Sequence, residues 1–369
     1  MDRVFLKSAP ATGRPAAGRV TISDVSDALG LTKSTVSRAL NGYPDIAEAT
    51  RLRVRRKAEA MGYRPLSQAQ AIRTGLSRSV GLVIQRSDHD AHRPFLAEFL
   101  AGVSASVSAE GYTLTLGSSD SEAATLEVMR AMVAERKADG FILPRAMIDD
   151  PRVRQLRSLG IPFVLFGRTG DDTGCAWFDI EHEAAIARAV GHLHDLGHRR
   201  IAYLGGLSGY TYAKLREAAF RGEMEARGLP VDPDLMVADC VTRAAARHAA
   251  LGFLERAAPP SAIVCAVDMA ALGVYHAAAA HGLRIGTNLS VTGYDGIPEG
   301  EHVDPPLSTF AVDNHLSGQR LASLLIRRIR GEAPESLREL AEARFLDRGS
   351  TGPRPNDRPV PGPKSGARV

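Results

Sequence analysis

Cysteine is scarce: Cys175, Cys240 and Cys265 are the only three, and they lie far apart. Neither a disulfide framework nor a Cys-x-x-Cys metal site can be built from that spacing, and a reducing cytosol suits it. No apolar run approaches the ~18 residues of a membrane span. Pro10, Pro15 and scattered charges interrupt the N-terminal stretch where an export signal needs a continuous apolar core. A cytoplasmic location is therefore expected. Nucleotide-binding signatures are missing too, with no Walker loop and no Gly-x-Gly-x-x-Gly. Gly205-Gly206-Leu207-Ser208-Gly209 lacks the Gly-x-Ser-x-Gly spacing of a nucleophile elbow. His194 and His198 stand four apart, a spacing that could hold a metal, but they sit at a helix end. These patterns imply no enzyme, no metal centre and no cofactor.

What is present is ample core and an uneven charge. With 44% hydrophobic residues over 369 positions, the chain can fill two or three domains. The net charge is only +4, yet residues 1–78 hold 14 Lys and Arg against 6 Asp and Glu, and the remainder holds 32 against 36. A basic head on a mildly acidic body suggests that the head alone seeks a polyanion. Within it, residues 20–42 read as two short helices joined by a tight turn. Thr21 caps the first, Ile22, Val25 and Leu29 stripe it, and Gly30 breaks it. Val36 and Leu40 stripe the second, whose other face offers Thr32, Lys33, Ser34, Ser37 and Arg38 to phosphates or base edges. That is a helix-turn-helix with a recognition helix.

Residues 1–19, rich in Ala, Gly and Pro with Arg3, Lys7, Arg14 and Arg19, form an arm that is either a plain extension or a source of non-specific DNA contacts. A third helix over Ala47–Met61 closes the small core through Val54, Ala58 and Met61. In order along the chain stand Thr21, Asp24-Val25, Gly30, Thr35-Val36-Ser37-Arg38, Leu40-Asn41, Thr50-Arg51, Gly62-Tyr63-x-Pro65, Ala69 and Arg73-Thr74-Gly75. On these residues the stretch 20–75 resembles the DNA-binding head and hinge of the lactose-repressor/galactose-repressor family of bacterial transcription regulators. The resemblance implies a head over 20–64 and a hinge and linker over 65–78. It adds Thr21, Thr35, Asn41, Tyr63 and Ala69 to the DNA contacts and makes Lys33 and Ser34 the residues that set operator preference. Ile72, where the family most often has leucine, is the apolar wedge for the minor groove. Leu66 stands where asparagine commonly follows the hinge proline, and Ala47 replaces the usual serine cap of the third helix.

From Ser79 the pattern alternates strands and helices in two consecutive runs, which predicts two doubly wound parallel-sheet subdomains facing across a cleft. The resemblance implies a core like that of periplasmic sugar-binding proteins, over 79–348. Subdomain one then holds about 79–178 and 313–338, subdomain two about 179–310 and 340–348, with crossings near Asp179, Phe310–Asp313 and Arg338–Leu340. Residues 349–369, rich in Pro and Gly, are expected to be a disordered tail. Without a C-terminal leucine heptad, a homodimer is expected.

Clefts of this kind are lined from strand ends and their loops. Phe95 follows the first strand and either begins a helix core or touches the effector. Arg168 is a charged group directly after strand Phe163–Phe166. By resemblance, Arg216 is the helix-borne arginine that grips effector oxygens, and Asp295, in Gly293-Tyr294-Asp295-Gly296, is the effector-binding acid. Asp268 follows strand Ala262–Ala266, though Val267 replaces the asparagine that often precedes it in the family. In Trp177-Phe178-Asp179, alternation sends Trp177 and Asp179 one way and Phe178 the other. The family match selects Phe178 and Asp179 as effector contacts, while Trp177 would also make a sugar platform. Val241 lies where the family often has an aromatic. The expected function is an operator-binding regulator, acting on a pseudo-palindromic double-stranded DNA operator and controlled by a small sugar-like effector. The alternatives are a purine-type corepressor regulator and a sugar-binding protein without a DNA role.

Overall fold

The computed structural model describes residues 20–63, 75–86 and 93–355. It divides into two compact units, one ending at Ser77 and one beginning at Arg78.

The first unit is built on three helices: α1 (Ile22–Leu29), α2 (Lys33–Leu40) and α3 (Glu48–Ala60). Thr21 begins α1 with a reciprocal cap, its hydroxyl accepting from the Asp24 amide while the Asp24 carboxylate accepts from the Thr21 amide at 2.7 Å. The bond from the Thr21 amide, and then one donated by the Thr21 hydroxyl at 2.9 Å, hold the Asp24 carboxyl below its usual range. Gly30 ends α1 at φ 65°, and the Arg53 guanidinium donates to the Leu29 carbonyl at 3.2 Å, tying α1 to α3. The core is Val25, Leu29, Val36, Ala39, Val54 and Ala58, with Leu40 and Met61 at its edge. Ala47 begins α3 without a side-chain cap, as alanine must.

The second unit contains two six-stranded sheets. Sheet one runs β2 (Thr113–Ser119), β1 (Ser79–Gln85), β3 (Gly140–Leu143), β4 (Phe163–Phe166), β5 (Ala176–Ile180), β11 (Arg338–Ala341), parallel throughout. Sheet two repeats the order with β7 (Met236–Val237), β6 (Ile201–Leu204), β8 (Ala262–Cys265), β9 (Ser290–Asp295), β10 (Ser308–Ala311) and β12 (Arg344–Leu346), only the last antiparallel. The central strands β3 and β8 are buried along their whole length, which is why they read as unbroken apolar runs. In sheet one the helices are α4 (Arg93–Ala109), α5 (Glu122–Ala134), α6 (Pro151–Leu159) and α11 (Asn314–Ile329); in sheet two they are α7 (His182–Asp195), α8 (Thr211–Ala226), α9 (Arg243–Leu254) and α10 (Asp268–Ala280). Glycine lets α4 and α11 touch: a Cβ on Gly102 would fall 2.0 Å from the His315 carbonyl oxygen.

The chain passes between subdomains after β5, after β10 and between β11 and β12. The third crossing falls at Glu342–Ala343 rather than at Arg338–Leu340, because Leu340 and Ala341 pair with Asp179 and Ile180 of β5. Residues 349–355 also correct an expectation. Far from a loose tail, Ser350 is buried, its hydroxyl donating to Val291 O at 2.6 Å and accepting from the Ser308 amide at 2.8 Å. Gly352 donates to Ser290 Oγ at 3.0 Å, and Arg354 N to Leu196 O at 2.9 Å. These serines and backbone groups satisfy one another, so the stretch packs despite its composition. Among the described residues no helix is long and apolar enough to cross a membrane.

Candidate functional site

The second helix of the head carries the first candidate site. Lys33 and Ser34 are exposed at the start of α2 and make no side-chain hydrogen bond to the described residues. Their neighbours are partly occupied by the fold itself. Thr32 caps α2, accepting from the Thr35 amide at 3.1 Å and pairing with the Thr35 hydroxyl at 2.9 Å. Ser37 accepts from Asn41 Nδ2 at 3.3 Å, and Arg38 is paired with Asp45, its guanidinium 5.5 Å from the Tyr43 ring centre. Thr21 caps α1, and Tyr63 packs at the edge of the head core. Ala69 and Ile72 lie outside the described residues.

The second site is a cavity of about 360 Å³ between the two sheets' C-terminal strand ends. Helix α4 gives it Phe95 and Glu98, the loop after β3 gives Arg145 and Ala146, and the end of β4 gives Phe166 and Gly167. Asp179 and Ile180 enter at the first crossing, and Val312 to His315 at the second. The other subdomain supplies His182 from α7, Tyr212 and Arg216 from α8, and the turn Asp295-Gly296-Ile297-Pro298. Val241 and Val267 complete an apolar wall.

Its polar floor is a connected chain of groups. The Arg216 guanidinium lies 3.4 Å from the Tyr294 ring centre, donates to the Ala266 carbonyl and reaches His182 Nδ1 at 3.2 Å. Tyr294 OH is 2.9 Å from the same nitrogen. With donors crowding Nδ1, the proton is assigned to Nε2, which is 3.1 Å from Asp179 Oδ1. Burial, then the charge on Arg216, hold the His182 pKa below its usual value against the pull of Asp179. Burial also works to raise Asp179, but the hydrogen bonds from His182 and Arg168 outweigh it and keep the carboxyl low.

Two groups stand apart from that chain. Asp295 sits at φ 121°, a region that side chains rarely adopt, and among the described residues its carboxylate accepts a hydrogen bond from the Asp268 backbone, at the start of α10, and from no side chain. Burial, opposed by Arg216 and reinforced by Asp268, pushes its pKa up to about 7. Arg145, also left-handed at φ 52°, makes no guanidinium hydrogen bond to the described residues, and burial lowers its pKa. Both open onto the cavity, presenting a carboxylate acceptor and a guanidinium donor fork to it.

Four of the seven expected effector residues, Phe95, Asp179, Arg216 and Asp295, line this cavity, and three are placed elsewhere. Arg168 is taken up by its neighbours, donating to Asp179 at 2.7 Å and to both oxygens of Glu183 at 2.9 and 3.0 Å. Phe178 is buried in the subdomain core, packed behind Phe166 with ring centres 6.0 Å apart and the rings tilted at 46°, so Phe166 takes the wall position. Trp177 is not the platform either, since it packs against the β3–β4 cluster and donates to Asp172 at 3.2 Å. Asp268 is fully buried behind the site, accepting from Gly296 N at 2.7 Å, Ile297 N at 2.9 Å and Thr309 Oγ1 at 2.6 Å. It braces the turn that presents Asp295. The residues that escaped the sequence reading are Arg145, His182 and Tyr212. The strand-end rule that selected Arg168 after β4 applies equally to Arg145 after β3, and His182 stands three residues after Asp179, at the start of α7. Elsewhere, His194 and His198 have separate partners, Arg227 and the Ser261–Ser290 pair, and do not converge.

Comparison with known proteins covers both sites. Residues 21–66 match the bacterial regulatory proteins of the lacI family, and residues 190–351 match the periplasmic binding protein-like domain. The chain is 34% identical over 355 residues to the HTH-type transcriptional regulator AglR of Rhizobium meliloti, covering 93% of this chain and 98% of that one. With the HTH-type transcriptional regulator RafR of Escherichia coli it shares 31% identity over 86% of this chain and 94% of the other. The structure of a transcriptional regulator CelR–cellobiose complex superposes with a TM-score of 0.69 at 28% identity, over 90% of this chain and all of that one.

Proposed function

The chain belongs to the lacI family of bacterial regulatory proteins, and from that premise we propose that it is a homodimeric repressor of carbohydrate-utilisation genes whose operator affinity is set by a neutral sugar. The observation that carries the sugar reading is the pair Asp295 and Arg145, both open to the cavity, the carboxylate held only by the Asp268 backbone and the guanidinium by no hydrogen bond among the described residues. Vicinal hydroxyls donate to a carboxylate and accept from a guanidinium, while Phe95, Phe166, Val241 and Val267 suit the apolar face of a sugar ring. The relative crystallised with cellobiose supports a ligand of this class.

On the DNA side, Lys33 and Ser34 read base edges in the major groove, and the capping threonines Thr21 and Thr32 stand where they can donate to phosphates. Two heads on a pseudo-palindrome double the contacts, and Ala69 and Ile72 of the hinge meet the minor groove. Sugar binding draws the subdomains together and changes the pairing of the two hinges, so operator affinity follows the occupancy of the cleft.

A gel-shift assay on the DNA upstream of the chain's own gene, at physiological salt, tests this directly. Sequence-selective binding that changes on adding one of a panel of neutral sugars is the expected result. Binding that is equal on scrambled DNA sinks the regulator reading. A thermal shift with purines and none with sugars replaces the sugar with a base.

A further inference from the structure

The loop between β3 and α6 is anchored inside subdomain one with unusual completeness. The Arg152 guanidinium donates to Pro144 O at 3.0 Å and Arg145 O at 2.9 Å, and also grips both oxygens of Asp150 at 2.9 and 2.7 Å. This Asp150–Arg152 pair is buried, and the other Asp150 contacts include the Met147 amide at 3.2 Å. Ala146 N donates to Phe166 O at 3.1 Å, Thr169 Oγ1 to Met147 O at 2.8 Å, and Gly170 N to Ile148 O at 2.9 Å.

Two backbone groups of the same loop point the other way. Ala146 O accepts from Thr211 N at 3.1 Å, and Ile148 N donates to Gly209 O at 2.9 Å, with Met147 and Tyr210 paired as an antiparallel bridge between them. Gly209 and Thr211 belong to subdomain two. Besides the three covalent crossings and the Arg168–Glu183 pair, the subdomains are thus joined by this short backbone zipper. One residue before it stands Arg145, in a left-handed conformation that its neighbours must impose, with its guanidinium opening onto the cavity.

We propose that residues 145–148 form an effector-reading latch. Arg145 binds effector oxygens, Ala146 and Ile148 zip the subdomains together, and the Asp150–Arg152 pair positions the loop so that the two events occur as one. The inference rests on the cavity being the effector site. A loop braced on one side by a buried ion pair cannot shift its Arg145 end without moving the carbonyls that Arg152 holds, so ligand contact and zipper formation are mechanically linked. Linkage then requires reciprocity: the factor by which the formed zipper raises sugar affinity is the factor by which bound sugar stabilises the zipper.

The test uses the full chain and reads the latch first without any ligand, by amide hydrogen exchange at Ile148. Thr211→Pro removes the N–H that Ala146 O accepts. It falls at the first position of α8, where proline is tolerated, after Tyr210 in an extended conformation (φ −91°, ψ 138°) that proline requires of its predecessor. Exchange at Ile148 is expected to rise roughly tenfold in T211P, as one lost hydrogen bond implies, and in R152Q as well, with β1 and β4 amides unchanged. Equal exchange in T211P and the unaltered protein overturns the latch.

Cellobiose, maltose and raffinose are then titrated into the same proteins. A sugar that binds the unaltered chain is expected to slow exchange at Ile148 in it and to bind T211P more weakly, by no more than the factor seen in exchange, and R152K is not expected to restore R152Q, because an ammonium cannot bridge two carbonyls and a carboxylate. Exchange at Ile148 that bound sugar leaves unchanged in the unaltered chain overturns the coupling. If no sugar binds the unaltered chain, the sugar reading fails and takes the effector half with it, while the exchange result still decides the zipper.

Discussion

In the head, Lys33 and Ser34 are exposed and carry no side-chain hydrogen bond to the described residues; in the cleft, Arg145 likewise makes no guanidinium hydrogen bond to them and Asp295 accepts only from the Asp268 backbone, but both are enclosed on every side except the cavity. Exposure makes the first pair inexpensive to keep. Enclosure makes the second costly, and the structure records the cost: Asp295 and Arg145 both hold positive φ, and the pKa of each is displaced by burial. The two regions also differ in how they are assembled. Some twenty consecutive residues make the recognition surface, whereas the cavity draws on both sheets, two crossings and four helices. A polyanion on the outside needs charges placed by short-range geometry. A small neutral ligand needs donors and acceptors brought from distant segments and kept away from water and from one another.

The largest expected effect breaks the cleft side of this comparison. Asp295→Ala removes the enclosed acceptor and is expected to cost about 3 kcal/mol of sugar binding, or more than a hundredfold in Kd by calorimetry. The same substitution relieves a strained, poorly solvated carboxylate, so the melting temperature of the body at pH 8 should rise. A fall in both affinity and stability would show that Asp295 is structural. On the head side, Val36→Ala opens a void in a core of only six buried residues, at about 2 kcal/mol. Operator binding is expected to drop with the folded fraction of the head, measured by gel shift beside its thermal melt, while sugar binding by the body persists. Coupled loss of both activities contradicts the independence of the two units.

A smaller effect follows from pH. Asp295, at about 7 in the folded chain, holds a proton that the unfolded chain releases near 4. Stability therefore falls as pH rises across that window, and is fully reduced above 7. His182 acts in the opposite sense, because its lowered pKa keeps it neutral in the fold and favours the unfolded, protonated form as pH drops below 6.5. The two trends overlap, so only the difference between the unaltered chain and Asp295→Asn isolates the first. That difference should grow from pH 5 to pH 8 in the melting temperature, and a flat difference overturns the assignment.

The fold was legible because its signals are local. Buried parallel strands such as Phe163–Phe166 and Ile201–Leu204 are continuous apolar runs, and helix stops such as Gly30 and Gly160 are left-handed positions that glycine fills without strain. The cavity was legible only in part, because a side chain's role there depends on what lies opposite it. Arg168 and Arg145 look alike in sequence, each following a strand of sheet one. Asp179 and Glu183 meet the first, and only the cavity meets the second. Asp268 and Asp295 are both acids associated with strand ends. The turn 295–297 folds back so that its amides consume one and leave the other presented. The packed stretch 349–355 was hidden for the opposite reason, since composition describes what a segment could do without partners and Ser290 and Ser308 supply them.

The smallest expected effect sharpens the head side, where one residue serves two ends. Thr21 caps α1 and is also an expected DNA contact, so Thr21→Ala confounds about 1 kcal/mol of lost cap with a lost phosphate donor. Thr21→Asp separates them. Aspartate is as good a cap as threonine and suits the positive end of the helix dipole, yet it repels a phosphate. It also stands three residues from Asp24, whose carboxylate accepts from the Thr21 amide, and that repulsion works against the cap. Head stability should thus sit between the unaltered protein and T21A, while operator binding falls below that of T21A at low salt and converges with it as salt rises. If T21D binds DNA as well as its stability alone allows, Thr21 is a cap and nothing more. Phosphate contact on this face then falls to Lys33 and the other free side chains of α2.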